Sequence, residues 1–164
     1  AIECPDPVII FEPKRRYWLK GEVDFSDTSF DPFSAQVVRE GTDATIVAYG
    51  PLVPVALAAA EAAVEDGRSI EVIDLRSISP LDVPTVAASV AKTGRLIIAH
   101  EAPTFGGMGG ELAAAITERC FYSLQAPVIR VGGYYMPYPV SRVEEEYVPD
   151  IDRILEAVDR AFDY

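Results

Sequence analysis

Four short apolar runs recur along the chain, and each is separated from the next by a segment with helical spacing. They are Ala44–Tyr49, Ile70–Leu75, Arg95–Ala99 and Pro127–Val131. Runs this apolar suit strands covered on both faces. Parallel neighbours need a crossover long enough to hold a helix, so strands alternating with helices define an α/β domain with a mostly parallel sheet. A fifth short strand is expected at Gln36–Glu40. Only the turn Gly41-Thr42-Asp43 separates it from Ala44, so it is expected to run antiparallel at an edge, beside the second strand. The expectation is a three-layer sandwich with a five-stranded, mostly parallel sheet and one antiparallel edge strand.

The helices are legible by their ends. Pro51 to Glu65 is Ala-rich, with Pro54 in the first turn and Asp66-Gly67 as its stop. Ser79-Pro80-Leu81-Asp82 reads as a helix start, with Ser79 as cap and Pro80 at the first helical position. Val83, Val86, Ala87 and Val90 then face inward, and Thr93-Gly94 ends the helix. A glycine-rich turn, Gly106–Gly110, precedes a helix that turns Leu112, Ala113, Ile116 and Cys120 inward. Pro149-Asp150 opens a terminal helix with Ile151, Ile154, Leu155, Val158 and Phe162 on one stripe.

Two segments are expected: residues 1–35, and the domain proper, 36–164. The apolar run Val8–Phe11 reads as a strand buried on both faces, and residues 12–35 as a long aperiodic connector. The sequence starts with Ala1 and meets a central-type strand almost at once. The expectation is a chain cut from something longer.

Charge and composition exclude several functions. Lys plus Arg number 14 and Asp plus Glu 26, a net charge of −12. Phosphate backbones repel such a chain, so nucleic acid is not the expected partner, whereas a partner with a basic face would suit it. No apolar run reaches the roughly 18 to 20 residues of a membrane helix, and no basic-then-apolar leader opens the sequence. Cys4 and Cys120 form neither a CxxC pair nor a zinc spacing, and His100 is the single histidine. These counts fit a reducing compartment, a bacterial cytoplasm or a mitochondrial matrix. The 11 Arg against 3 Lys, with the abundant Ala, read as the product of a GC-rich bacterial genome, so the bacterial cytoplasm is the expected location.

The chemistry-bearing motifs are sparse. The Gly106–Gly110 turn lies between a strand and a helix, where phosphates can bind, but its spacing matches neither GxGxxG nor GxxxxGKS. Close backbone packing is the preferred reading. An acidic flavin carrier would bind phosphate after the first parallel strand. There Pro51 and Pro54 remove donors, which argues against it. His100 ends a strand and could act as a base, but it has no evident nucleophile partner and is read as structural. No GxSxG elbow occurs. The terminal helix carries Asp152, Glu156, Asp159 and Asp163 off its apolar stripe, either as a solvated face or as an acidic docking surface. Tyr134–Pro139 is an aromatic loop of the kind found at interfaces.

One ordered string of motifs points further. Phe11-Glu12-Pro13-Lys14 is followed by Glu71–Arg76 with Ser79–Asp82, Lys92–Leu96, His100–Pro103 with Gly106-Gly107, Gln125–Val128 and Val148–Asp150. Over essentially the whole chain this resembles the C-terminal half of the beta subunit of the decarboxylating component of a 2-oxo acid dehydrogenase complex. The Phe-Glu-Pro-Lys segment with Tyr17 is most similar to the branched-chain type; a pyruvate or acetoin dehydrogenase is the alternative. A free-standing anion-binding α/β regulatory domain is the rival class.

The resemblance implies a transketolase C-terminal-domain-like fold. It implies an alpha–beta heterotetramer that uses thiamine diphosphate and magnesium, decarboxylates a 2-oxo acid and acylates the lipoyl arm of an acyltransferase. Catalytic and cofactor residues would lie in the missing half, so this fragment alone is expected to be inactive. The implied partners are the alpha subunit, a second beta subunit and the basic subunit-binding domain of the acyltransferase. Asp159, Asp163 and Tyr164 are the expected contacts for that last domain. Some branched-chain beta subunits bind potassium through carbonyls matching Ala1, Cys4 and Asp6; the upstream ligands are absent here, so no intact site is expected.

Overall fold

The computed structural model describes residues 4–22, 26 and 31–164. The chain divides into two units between residues 30 and 31. In the first, Pro13 leads into a single 3-10 turn, Lys14–Arg16, and the Tyr17 hydroxyl donates to Glu12 Oε2 at 2.8 Å. The expected strand Val8–Phe11 does not form. Its side chains are open to solvent, Ile9 at 80% and Phe11 at 90%. A strand is held by its ladder, and among the described residues nothing pairs with this segment.

The second unit holds all five strands: β1 (Gln36–Arg39), β2 (Ala44–Ala48), β3 (Ile70–Asp74), β4 (Leu96–Pro103) and β5 (Ile129–Gly133). Its helices are α1 (Val53–Ala62), α2 (Val83–Thr93), α3 (Met108–Cys120), the one-turn α4 (Glu144–Tyr147) and α5 (Ile151–Phe162). The sheet order is β1-β3-β2-β4-β5. The pairs β3–β2, β2–β4 and β4–β5 are parallel, and β1 is antiparallel.

The antiparallel edge is as expected, but β1 pairs with β3 and not with its sequence neighbour β2. Gly41 shows why. A Cβ on Gly41 would lie 2.2 Å from the Glu71 backbone nitrogen, so the chain passes directly against the start of β3. Thr42 and Asp43 both donate backbone N–H bonds to the Ser69 carbonyl there. The short link therefore crosses β3 instead of folding back as a hairpin.

The alternation of side chains builds two cores. Ile46, Val72, Ile97 and Val131 point to one face, where α1 and α5 pack with Ala56, Ala60, Ile154 and Val158. Val47, Ile73, Leu96 and Ile98 point to the other, where α2 and α3 supply Val86, Val90, Leu112, Ile116 and Cys120. Both faces of the central strands are thus dry, which explains their largely apolar character, with Thr45, Glu71 and His100 as buried polar exceptions.

Several boundaries move from expectation: β5 spans Ile129–Gly133 instead of Pro127–Val131, and α1 is flanked by 3-10 turns at Gly50–Leu52 and Ala63–Asp66. Helix α2 is capped by Asp82, whose side chain accepts from the Thr85 N–H at 3.1 Å; Pro84 lies in its first turn, and Ser79-Pro80 is a cis peptide ahead of it. Strand β4 runs through His100 and Glu101 to Pro103.

Candidate functional site

The strand order reverses between β2 and β4, since β3 lies on one side of β2 and β4 on the other. In doubly wound domains the crevice at the carboxyl ends of two such strands is the usual ligand site. Here Tyr49 follows β2 and His100 lies on β4, so both belong to that crevice. It is closed. The space bounded by Tyr49, Leu75, Leu81, Ile98, Met108, Gly109 and Leu112 has no room for a water molecule.

His100 fills the crevice floor and is fully buried. Its Nδ1 lies 2.9 Å from the Ala102 carbonyl. A carbonyl can only accept, which assigns the proton to Nδ1 and the lone pair to Nε2. Nε2 has no hydrogen-bond partner among the described residues. Burial holds the pKa below the ordinary histidine value; the Arg130 charge adds to this and the bond to Ala102 opposes it. Tyr49 stacks over the ring with centroids 6.1 Å apart, and burial raises its own pKa.

Three glycines after β4 leave room for this imidazole, and two of them, Gly107 and Gly132, also for the Pro103 and Ala102 carbonyls. Added Cβ atoms on Gly107, Gly109 and Gly132 would lie 2.8, 2.5 and 3.0 Å from its ring atoms. Gly107 is the N-cap of α3 and Gly109 lies in its first turn. The turn that could have cradled a phosphate is taken up by a packed side chain. A sealed, neutral histidine is in no position to take a proton from a dissolved substrate.

At the far end of the domain, α5 is fastened at its C-terminal turn. Arg68 and Arg95 lie on the Phe162 ring, 4.6 and 4.5 Å from its centroid. Arg95 also donates from Nε to the Ala161 carbonyl at 2.9 Å and from a terminal nitrogen to Gln125 Oε1 at 2.6 Å. Cations that bind the last carbonyls of a helix also suit its dipole.

The residues singled out from sequence are distributed as follows. Asp159 is ion-paired with Arg68, which offsets part of its charge. Asp163 caps the end of α5, and Tyr164 is 75% exposed. Asp159, Asp163 and Tyr164 therefore share one end of one helix. The helix is not acidic all round, because Arg153 and Arg160 open with Glu156 onto a different cleft. Ala1 lies outside the described residues; Cys4 and Asp6 are exposed. Among the described residues no group of three or more His, Cys, Asp or Glu is placed to hold a metal ion.

Arg68, Arg95 and Phe162 were not singled out from sequence. The signal available was Arg95 at the head of β4 and Phe162 on the apolar stripe, which shows nothing of their meeting across 67 positions.

The fold and this geometry define a doubly wound α/β domain whose switch-point crevice is plugged by its own side chains. The family described as transketolase, C-terminal domain, matches residues 34–154, and the chain belongs to it. It is 55% identical over 164 residues to the pyruvate dehydrogenase E1 component subunit beta of Leifsonia xyli, covering 100% of this chain and 49% of that one. It is 50% identical over 161 residues to the 3-methyl-2-oxobutanoate dehydrogenase subunit beta of Mycobacterium tuberculosis, with coverage of 98% and 46%. It is 46% identical over 166 aligned positions to the mitochondrial 2-oxoisovalerate dehydrogenase subunit beta of Dictyostelium discoideum, with coverage of 100% and 45%. The chain thus spans about half the length of the curated relatives it matches.

Among solved structures, a split gene transketolase in an inactive beta4 tetramer superposes with a TM-score of 0.71 at 30% identity, over 87% of this chain and 46% of that one. A 2-oxoglutarate:ferredoxin oxidoreductase from Magnetococcus marinus shares the fold, with a TM-score of 0.51 at 13% identity over 78% of this chain and 19% of that one.

Proposed function

We propose that this chain is the C-terminal assembly and docking domain of the beta subunit of a thiamine diphosphate-dependent 2-oxo acid dehydrogenase. The observation that carries this reading is the 55% identity, along the whole chain, to a pyruvate dehydrogenase E1 beta subunit. The closed switch-point crevice fits a domain that serves assembly and leaves the chemistry to another part of the subunit.

The described residues do not fit a site for thiamine diphosphate and magnesium. The glycine turn is filled by His100, and no acidic cluster is placed for a metal ion among them. In this reading the domain packs against a second beta subunit and the alpha subunit. It presents the α5 terminus, with Asp159, Asp163 and Tyr164, to the basic subunit-binding domain of a lipoyl acyltransferase. The Arg68–Phe162–Arg95 stack supports that role, because it holds the terminus in one orientation before a partner arrives. A potassium ion near Ala1, Cys4 and Asp6 belongs to the same proposal for the complete enzyme, as does a bacterial cytoplasmic location.

The branched-chain type is the finer reading. Phe11-Glu12-Pro13-Lys14 with Tyr17 supports it, and relatives named for 3-methyl-2-oxobutanoate and 2-oxoisovalerate share 50% and 46% identity. The pyruvate type is the second reading, favoured by the 55% relative. The test is turnover of the full subunit, co-purified with its alpha partner, on 3-methyl-2-oxobutanoate and on pyruvate. A higher kcat/KM for 3-methyl-2-oxobutanoate bears out the branched-chain reading, and a higher value for pyruvate reverses it. Turnover of neither, nor of 2-oxobutanoate, overturns the dehydrogenase assignment.

A further inference from the structure

On a chain of net charge −12, three guanidinium groups converge on one cleft. Arg130 comes from β5, and Arg153 and Arg160 come from α5, seven residues apart and so two turns along one face. The cleft has a volume of about 400 Å³, and a second cavity of about 270 Å³ adjoins it, sharing Thr104, Arg130 and Arg160. It runs along the edge strand β5, from Arg130 near its start to Gly133 and Tyr134 at its end, and its size is that of a small-molecule site.

The three arginines are not equivalent. Arg153 spends its N–H groups on the carbonyls of Tyr147 and Gly132 and lies 4.7 Å from the Tyr134 ring centroid, so it forms a wall. Arg130 is anchored by one bond to the Thr104 carbonyl at 3.1 Å, which leaves most of its fork open. Arg160 makes no hydrogen bond or ion pair among the described residues, although Asp and Glu outnumber Lys and Arg by 26 to 14. Arg39, Arg68 and Lys92 all have carboxylate partners. Glu156 also lines the cleft, so the balance there is three guanidiniums to one carboxylate; Tyr164 lines the adjoining cavity. Planar forks on two elements, one pre-anchored, match the several oxygens of a phosphoryl group.

We propose that the cleft between β5 and α5 binds a small phosphate- or pyrophosphate-bearing ligand through Arg130 and Arg160. The site is separate from the plugged switch-point crevice but borders the C-terminal end of α5, since Tyr164 lines the adjoining cavity, and it does not depend on which 2-oxo acid is used.

The test is an NMR titration of the 164-residue chain, at constant ionic strength, with inorganic phosphate, pyrophosphate, ADP and a polyglutamate peptide. The expected result is saturable shifts at Thr104, Gly132 and Gly133 and at the Nε–H of Arg130 and Arg160, with pyrophosphate tighter than phosphate. ADP binding more tightly than pyrophosphate would make a nucleotide the source; equal affinity would make it free pyrophosphate. Arg160→Gln, an exposed helix position, should weaken binding about tenfold or more with the remaining spectrum unchanged. Arg119→Gln, on α3, should leave binding as it was. Shifts that never saturate, binding of polyglutamate alone, or unchanged affinity in Arg160→Gln would each overturn the proposal.

Discussion

The Arg95 guanidinium lies 4.5 Å from the centroid of the Phe162 ring while its Nε donates to the Ala161 carbonyl at 2.9 Å. One side chain from the head of β4 thus holds both the ring and the backbone of the last helical turn. Arg68 covers the ring as well. Phe162→Ala removes both cation–π contacts and the ring's share of the α1/α5 core. The expected loss is about 2 kcal/mol, from roughly 0.5–1 kcal/mol per contact plus lost apolar burial. Urea unfolding checks it, and hydrogen exchange at Ala161 and Phe162 should rise before that of the sheet.

Docking at this end of α5 should be electrostatic in its kinetics. Asp163→Asn is expected to lower the association rate with a basic subunit-binding domain and to flatten its salt dependence, with little change in dissociation. Asp159→Asn should do less, because Arg68 already offsets its charge. Stopped-flow mixing at two salt concentrations measures both.

Gly41→Ala should destabilise the domain by at least about 2 kcal/mol. The added Cβ would sit 2.2 Å from the Glu71 nitrogen, and that neighbour is backbone, which cannot swing aside. Thermal unfolding of the purified variant is the measurement. An unchanged midpoint would mean that the Gly41–Asp43 link does not cross β3 as described.

Gly109→Ala should be similarly costly, because its Cβ would meet His100 Nε2 at 2.5 Å. Here the obstacle is a side chain, so a smaller residue at 100 should relieve it. The loss in the double variant Gly109→Ala/His100→Ser should fall short of the sum of the two single losses by about 1 kcal/mol or more. Full additivity would contradict the cradle.

His100 gives a pH signature of its own, since the chain has one histidine. Its pKa is lowered in the folded state, so the neutral ring is the folded form. The unfolded chain takes up the proton first, near pH 6.5. The stability due to His100 is therefore complete above about pH 6.5 and is lost as the pH falls from there toward the depressed folded value. Glu71 acts in a lower window. Burial alone would raise its pKa, but bonds from Lys92, Ser89 and the Gly41 N–H outweigh it, so its contribution is lost only as the pH falls below the usual carboxylate range. His100→Asn can keep a donor toward Ala102 and should flatten the slope of stability between pH 7 and 5.5, leaving the acid limb unchanged.

The strands and helices of the second unit were legible because their sheet is covered on both faces, which leaves a strong apolar signal. Topology was less so. Nothing local shows that Gly41–Asp43 crosses β3, since the contact is with Glu71, thirty positions away. The start of α2 was misplaced because Ser79-Pro80 and Asp82 both carry capping chemistry, and only the Thr85 N–H bond to Asp82 decides between them. Val8–Phe11 has the composition of a strand but no ladder among the described residues to complete it. The His100 cradle was half visible, as glycines wanted for packing, but the ring they pack against was not. Counting charges along α5 hid its two faces, since Asp159 meets Arg68 while Arg160 faces the cleft.

In the proposed reading this domain is half of a catalytic subunit. The most direct measurement is the intact mass of the native gene product from source cells, by denaturing mass spectrometry. The chain accounts for 17.8 kDa and covers 49% of a relative's length. A product of roughly twice that mass is expected, as one added domain implies. A native product of 17.8 kDa would contradict it and leave a free-standing domain in which the fold is kept without the chemistry.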